Sequence, residues 1–302
     1  MSENPKNTDF FPSPYMKIIG GTASLPIAED LSHLLSIDLI KIETKRFPDG
    51  ELYVRLLGPV ENEEIIVIQT TFPDEYIIEL FFLLDAVKRA HAKSITVIIP
   101  YFGYGRQDKQ FKQGEPISAQ ALATLFSINV DKIITIDPHK DHILDFFTIP
   151  AYGISAVESI ADHLRTKNIN VVLAPDKGAL ERAQNAAKIL NCDVDHLEKT
   201  RIDGTTIKIT PKTLDVKNKN VAIIDDIIST GGTMATAIRE LKKQHASKVY
   251  VACTHGLFAG NAIEKLQNAG CDEIIATDTI QSPFSTVKTA AVIAKTIHDF
   301  SR

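Results

Sequence analysis

The chain has 302 residues, of which 44% are hydrophobic and 24% charged, with a formal net charge of −5. This length predicts two domains of ordinary size, and the composition is that of a soluble globular protein. The acidic balance gives no electrostatic reason to expect nucleic acid as a partner.

The cysteines and the N-terminal residues predict the cellular compartment of the protein. Cys192, Cys253 and Cys271 have neither metal-site nor disulfide-framework spacing, so we expect reduced thiols in a cytoplasmic protein. Residues 1–14 lack the apolar stretch of a secretory signal, and we expect 1–15 to form a flexible tail. No apolar run reaches membrane-spanning length, so no membrane partner is expected.

The first half of the chain predicts alternating strands and helices. Its apolar runs predict strands at 16–20, 37–42, 52–56, 65–69, 95–99 and 132–136, and helices at 27–35, 76–91 and 118–125. The 76–91 helix is apolar on more than one face, so a core or a subunit partner must cover it.

Two polar segments interrupt this first half. Phe47-Pro48-Asp49-Gly50-Glu51 has the composition of a turn, and a plain turn is the alternative to any function for it. The run Pro100-Tyr101-Phe102-Gly103-Tyr104-Gly105-Arg106-Gln107-Asp108 follows a buried strand, at the end where α/β proteins bind ligands. Arg106 offers a planar fork suited to phosphate, although a charged run is also typical of a solvated face.

Asp137-Pro138-His139 follows the strand predicted at 132–136. A histidine at that position can bind magnesium, contact a phosphate oxygen, or cap a loop. We interpret the nearby His142 as structural.

The second half repeats the pattern of the first. Strands are predicted at 169–174, 221–224, 249–253 and 274–277, and helices at 234–241 and 286–300. The recurrence predicts an α/β fold of two related domains, each with a mainly parallel sheet flanked by helices. We place the domains at 16–154 and 155–302 and expect helix 286–300 to pack on the first of them.

The segment Ile224-Asp225-Asp226-Ile227-Ile228-Ser229-Thr230-Gly231-Gly232-Thr233 joins a buried strand to a helix. A turn of small residues at a helix start exposes backbone N–H groups, and the helix dipole favours an anion there. Asp225 and Asp226 repel a phosphate but accept from sugar hydroxyls, directly or through a divalent cation. The segment therefore predicts a phosphorylated-sugar site, with helix capping as the alternative.

This segment is similar to the ribose-5-phosphate loop of type I phosphoribosyltransferases. Together with FPDGE, PYFGYGRQD, Asp137-Pro138-His139 and Thr254-His255-Gly256-Leu257-Phe258, it resembles the ribose-phosphate pyrophosphokinases, also called phosphoribosyl pyrophosphate (PRPP) synthetases. The resemblance runs from about residue 18 to about residue 280. It implies two phosphoribosyltransferase-like domains.

The resemblance also implies roles for particular residues. ATP is implied to bind Phe47, Asp49, Glu51, Arg106, Gln107, Asp108 and His139. Ribose 5-phosphate is implied to bind Asp225, Asp226, Ser229, Thr230, Gly231, Gly232 and Thr233. The pyrophosphate loop corresponds to Asp176, Lys177, Gly178 and Ala179, where Ala179 replaces the family's second glycine. Lys199 and Arg201 correspond to the catalytic Lys-x-Arg.

The implied reaction transfers the β,γ-diphosphoryl group of ATP to the 1-hydroxyl of ribose 5-phosphate, giving PRPP and AMP. The implied cofactor is Mg²⁺, held by His139 and Asp176, and the implied assembly is a dimer-based homo-oligomer such as a hexamer. The alternatives are a non-catalytic regulatory paralogue and a phosphoribosyltransferase that consumes PRPP. There is no G-x-x-x-x-G-K-[S/T] motif, so ATP is not held by a Walker loop.

Overall fold

A computed structural model describes residues 15–201, 207–211 and 214–300, with the backbone alone for 199–201 and 207–211. Residues 1–14, most of the predicted tail, lie outside the described residues. In the described part of the chain, none of the helices combines the length and apolar composition that a bilayer crossing requires.

The first domain contains a parallel six-stranded sheet in the order β2-β1-β5-β6-β7-β8. Its strands are β1 (Met16–Gly20), β2 (Asp38–Ile40), β5 (Glu64–Ile68), β6 (Ser94–Ile99), β7 (Lys132–Ile136) and β8 (Ala151–Ile154). The antiparallel hairpin between β2 and β5 comprises β3 (Ile42–Arg46) and β4 (Leu52–Leu56). The connecting helices are α1 (Leu25–Leu35), α2 (Glu75–Arg89) and α3 (Ser118–Phe126).

The second domain contains a sheet in the order β11-β10-β9-β12-β13-β14-β15, parallel apart from the antiparallel pair β10–β11. Its strands are β9 (Val171–Ala174), β10 (Asp193–Arg201), β11 (Ile207–Pro211), β12 (Asn220–Ile228), β13 (Lys248–Gly256), β14 (Glu273–Thr277) and β15 (Ser285–Val287). Its helices are α4 (Val157–Leu164), α5 (Leu180–Leu190), α6 (Gly232–Lys243) and α7 (Ala262–Asn268), and α8 (Ala290–Phe300) follows its last strand.

Both sheets are buried on both faces, which explains why their strands are nearly continuous apolar runs. In the first domain one face packs against α2 and α3, and the other packs against α1 and α8. In the second domain one face packs against α6 and α7, and the other against α4 and α5. The α/β architecture of two helix-flanked, mainly parallel sheets is confirmed.

The last helix belongs to the core of the first domain although it follows the last strand of the second. Ala290, Ile293 and Ile297 of α8 pack with Ile27 and Leu31 of α1. The helix predicted at 286–300 begins only at Ala290, because residues 285–287 form the edge strand β15. The division between residues 154 and 155 stays a prediction.

Candidate active site

A cavity of about 250 Å³ lies between the two domains at the carboxyl ends of β7, β9 and β12. This is the edge of a parallel sheet where α/β proteins bind ligands. The first domain contributes a guanidinium and an imidazole, and the second contributes carboxylates and a helix start. The lining residues are Arg106, His139, Pro175, Asp176, Asp225, Asp226, Ile227, Ile228, Ser229, Thr230, Gly231, Gly232, Thr233 and Met234.

The predicted sugar-phosphate segment forms one wall of this cavity. Strand β12 does not end at residue 224 as predicted but continues through both aspartates to Ile228, because β13 pairs with it as far as Gly256. The turn is therefore only three residues long, and α6 starts at Gly232. The first residues of that helix, Gly232, Thr233 and Met234, line the cavity, and the free N–H groups of a helix start favour an anion.

The two glycines of the turn are not equivalent. Gly231 has φ +70°, and a Cβ added to it would lie 3.2 Å from the Ala262 carbonyl oxygen. Gly232 is the first residue of the helix, and an added Cβ would meet open space. The turn thus requires glycine at Gly231, whereas Gly232 leaves room beside the helix start for an approaching group.

The two adjacent aspartates have pKa values shifted in opposite directions. Asp225 Oδ1 accepts from the Asp226 amide at 2.9 Å. Burial and the neighbouring carboxylate raise the pKa of Asp225 to about 8. Burial also opposes ionisation of Asp226, but hydrogen bonds from His139 and Asp225 and the charge of Arg182 outweigh it and lower its pKa. Asp226 is therefore the ionised member and Asp225 the protonated one at neutral pH.

Side chains from both domains meet directly at the floor of the cavity. His139 Nδ1 lies 2.7 Å from Asp226 Oδ2. The carboxylate of Asp137, which is buried and has φ +39°, accepts from the Thr254 hydroxyl at 2.6 Å and from the Ser155 hydroxyl at 2.8 Å. The carboxyl end of β7 is therefore bonded to strands of the second domain.

His255 forms a second link beneath the cavity. Its Nε2 lies 3.1 Å from the Ile136 carbonyl oxygen and 3.2 Å from that of Asp137, so Nε2 carries the proton. Its Nδ1 then accepts from the Thr279 hydroxyl at 2.9 Å. Burial lowers the pKa of His255, so the ring is neutral, and it packs on Tyr101 with 4.7 Å between ring centroids. His255 is thus a structural tie between the domains.

The pyrophosphate loop begins directly after β9. Asp176 Oδ1 accepts from the amides of Gly178 at 2.8 Å and Ala179 at 3.2 Å, so one carboxylate oxygen shapes the turn. Ala179 has φ −92°, and its methyl group is buried in the core of the second domain. The left-handed conformation is not needed at this position, which explains why alanine fits there. Lys177 and Gly178 are exposed.

Several residues implied to bind ATP lie outside the cavity lining. Gln107 binds the Ser118 hydroxyl, and Asp108 lies 3.1 Å from His142 Nε2. The predicted turn at 47–51 joins β3 to β4, as expected from its composition. Within it Phe47 is 43% exposed and Asp49 accepts from the Glu51 amide. None of these five residues lines the cavity.

The backbone of Lys199 and Arg201 lies in β10 and pairs with β11. The side chains of both residues lie outside the described residues, so their roles stay predictions. The pairing of β10 with β9 ends next to the cavity, because its last register pair is His196 with Ala174, which immediately precedes Pro175 and Asp176.

Two charged residues at the site were given no role in the sequence prediction. Asp137 was named only as part of the Asp137-Pro138-His139 motif, although its position after a buried strand was a usable signal. Arg182 lies on α5, with its Nη1 4.0 Å from Asp226 Oδ1. A single arginine inside a helical pattern gives no signal of this kind, since only the packing of α5 against β12 brings it to the aspartate.

The side chains that line the cavity suit a magnesium ion that also binds water and substrate phosphates. They do not suit a metal ion that is coordinated by protein side chains alone. Among the residues that the structure describes, no group of three or more His, Cys, Asp and Glu side chains is arranged to hold a metal ion. Mg²⁺ is usually held by one or two carboxylates together with water and substrate phosphates. His139, Asp176 and Asp226 line one cavity whose helix start favours phosphate, which meets that requirement.

Comparisons with known proteins identify the family of both halves of the chain. Residues 16–128 match the N-terminal domain of ribose phosphate pyrophosphokinase, and residues 144–288 match a phosphoribosyl transferase domain. A ribose-phosphate pyrophosphokinase of Methanosarcina acetivorans is 43% identical over 93% of this chain and 99% of the relative. That of Methanothermobacter thermautotrophicus is 40% identical over 93% of this chain and 100% of the relative.

A solved structure agrees with this assignment. The crystal structure of phosphoribosylpyrophosphate synthetase from Mycobacterium smegmatis superposes with a TM-score of 0.81 and 29% sequence identity. The superposition covers 95% of this chain and 98% of that one. The chain belongs to the ribose-phosphate pyrophosphokinase family.

Proposed function

We propose that the protein transfers the β,γ-diphosphoryl group of ATP to the 1-hydroxyl of ribose 5-phosphate, forming PRPP and AMP. The observation that carries the proposal is the single cavity in which a sugar-phosphate turn of the second domain faces Arg106 and His139 of the first. Relatives matched over nearly their whole length are named for this activity.

In this proposal the second domain binds the sugar. The turn at 229–233 holds the 5-phosphate at the start of α6, where the helix dipole and free N–H groups favour an anion. Ionised Asp226 and protonated Asp225 offer an acceptor and a donor for the ribose hydroxyls. Asp176, Lys177, Gly178 and Ala179 form the pyrophosphate side of the site.

The first domain supplies the triphosphate side. Arg106 binds phosphate oxygens through its planar fork. His139 has Nδ1 bonded to a carboxylate, the arrangement that leaves Nε2 of metal-binding histidines free for the ion. His139 and Asp176 would hold Mg²⁺, which would neutralise charge on the triphosphate when bound.

The chemical step is an in-line displacement at phosphorus. The anomeric hydroxyl attacks the β-phosphorus, the bond from that phosphorus to the bridging α,β-oxygen breaks, and this oxygen leaves with AMP while the hydroxyl proton is lost. Positioning and charge neutralisation supply most of the catalysis in such transfers. Lys199 and Arg201 stabilise the charge that accumulates in the transition state.

A second copy of the chain completes the site in this proposal. Phe47, Asp49 and Glu51, proposed to bind adenine, lie outside the cavity of their own chain. The β3–β4 hairpin that carries them is tied to α2, since Arg46 Nη2 lies 2.7 Å from Glu75 Oε2. On α2 the side chains of Ile78, Phe81 and Phe82 are exposed, as expected of a face that another subunit covers.

The test is to mix purified protein with ATP, magnesium chloride and ribose 5-phosphate and to measure AMP and PRPP. Equal amounts of the two products are expected, with none when either substrate is omitted. A well-folded protein that gives neither product would favour a regulatory paralogue. Release of pyrophosphate from PRPP in the presence of a free base would favour a phosphoribosyltransferase.

A further inference from the structure

Arg182 of α5 lies between two carboxylates that belong to different domains. Its Nε is 4.0 Å from Asp137 Oδ1, and its Nη1 is 4.0 Å from Asp226 Oδ1. Asp137 ends strand β7 of the first domain, whereas Asp226 lies in β12 of the second. The arginine side chain is 18% exposed, so it acts from behind the cavity wall and is not among the lining residues.

Both carboxylates are buried, at 7% exposure for Asp137 and 8% for Asp226. A buried carboxylate without a compensating positive charge is strongly unfavourable, and two of them beside one cavity repel each other. Hydrogen bonds from Ser155, Thr254 and the Ala156 amide stabilise Asp137 but bring no net charge. Arg182 is a permanently charged group within reach of both acids.

The distances define what Arg182 contributes. At 4.0 Å its contacts are beyond hydrogen-bonding range, and its buried Nε has no hydrogen-bond partner among the described residues. The interaction is therefore one of charge and does not depend on the fork geometry of the guanidinium.

We infer that Arg182 is a positioning residue for sugar binding, whose charge holds Asp137 and Asp226 together across the domain boundary. Asp226 is thereby kept facing the cavity, where its carboxylate accepts from the ribose hydroxyls. This inference rests on the proposed function for its substrate. That Arg182 holds Asp137 and Asp226 in place is a separate claim, which does not depend on the identity of the substrate.

The test compares two changes of Arg182 with a charge-matched control on the same helix. Arg182→Met keeps the length and removes the charge, Arg182→Lys keeps the charge, and Lys188→Gln removes a charge from the exposed face of α5. Binding of ribose 5-phosphate in magnesium chloride is measured by calorimetry. We expect R182M to raise Kd at least about tenfold, with R182K and K188Q within about threefold of the wild type.

Nucleotide binding and kinetics give a second comparison. The Kd of ATP should rise much less than that of ribose 5-phosphate in R182M, because Asp226 reaches the triphosphate side only through its hydrogen bond to His139. In steady state R182M should raise KM for ribose 5-phosphate much more than it raises KM for ATP. Equal effects on both substrates would overturn the assignment, since they indicate a general loss of structure.

Amide hydrogen exchange reports on the position of Asp137 in the absence of substrate. The Ala156 amide, which donates to Asp137 Oδ2 at 3.0 Å, should exchange faster in R182M than in K188Q. Sugar binding by R182M equal to the wild type, or sugar binding by folded R182K as weak as that of R182M, would overturn the inference. If R182M does not fold, the sugar binding of R182K compared with that of the wild type still tests the inference. A wild type that binds no ribose 5-phosphate would instead contradict the proposed function, while the exchange result would stand on its own.

Discussion

His139 Nδ1 of the first domain lies 2.7 Å from Asp226 Oδ2 of the second, so one hydrogen bond joins the proposed metal ligand to the proposed sugar ligand. Any rotation of the imidazole must therefore disturb the aspartate, and the reverse also holds.

His139→Ala should raise the magnesium chloride concentration needed for half-maximal activity about tenfold or more. The physical reason is that both a proposed ligand and the hydrogen bond that orients it are lost. The measurement is a magnesium titration at saturating substrates. His33→Ala is the control, since His33 is an exposed residue of α1 outside the cavity lining. Equal magnesium requirements in H139A and the wild type would contradict a metal role.

Asp225→Asn should make stability less dependent on pH. Because the pKa of Asp225 is raised from 3.8 to about 8, the folded protein keeps a proton that the unfolded chain releases between these values. The stabilisation from this group is complete below about pH 4 and is lost as pH rises to about 8. The free energy of unfolding of the wild type, measured in urea, should fall relative to D225N by up to about 1.4 kcal/mol per pH unit in that window. Parallel curves would be inconsistent with a raised pKa at Asp225.

Gly231→Ala should lower the free energy of unfolding by about 1–2 kcal/mol, because the backbone there is left-handed and the added methyl would crowd the Ala262 carbonyl. Gly232→Ala is the control, with open space for the methyl and a helical position, and should change stability by less than about 0.5 kcal/mol. Thermal and urea unfolding of the two variants provide the measurement. A larger loss in G232A would show that the turn has another conformation.

Lys199→Ala and Arg201→Ala should each lower kcat about 10²–10³-fold and leave both KM values within about threefold, as expected of charges that act in the transition state. The control is Lys217→Ala, which removes an exposed positive charge after β11 and should retain full activity. A rise in KM without loss of kcat would assign these residues to ground-state binding.

Phe47→Ala and Asp226→Asn should each be nearly inactive, and mixing the two variants should restore activity. If subunits exchange, some sites then combine an intact hairpin from one chain with an intact cavity from another. Activity is measured before and after co-incubation, with each variant mixed with itself as the control. Full loss of activity that mixing never restores would argue that the hairpin serves its own chain.

The sequence predicted the element types well because buried parallel strands appear as short apolar runs between polar ends. It located none of the helices α4, α5 and α7, and its other errors concern strand ends and edge strands. Strand β12 runs four residues past the predicted end, since partner strand β13 continues beside it and carries two acids into the sheet. Strands β8 and β15 were missed because edge strands such as Ala151–Ile154 need no apolar run.

For the site, patterns in the sequence found the cavity wall at 225–233 and His139, because each follows a strand in a short motif. The location of Arg182 beside Asp137 depends on which helix packs against which strand. No local sequence pattern contains that information. The conformational difference between Gly231 and Gly232 likewise appears only once the backbone has been built.

The return of α8 to the first domain constrains how this gene product can be divided. A fragment that stops before Ala290 would leave only α1 on one face of the first sheet and would uncover the side of Ile27 and Leu31 that packs with α8. A fragment made of the second half alone would carry α8 without the α1 surface that covers most of its apolar face. We therefore expect each half to be less stable when it is expressed alone than as part of the full chain.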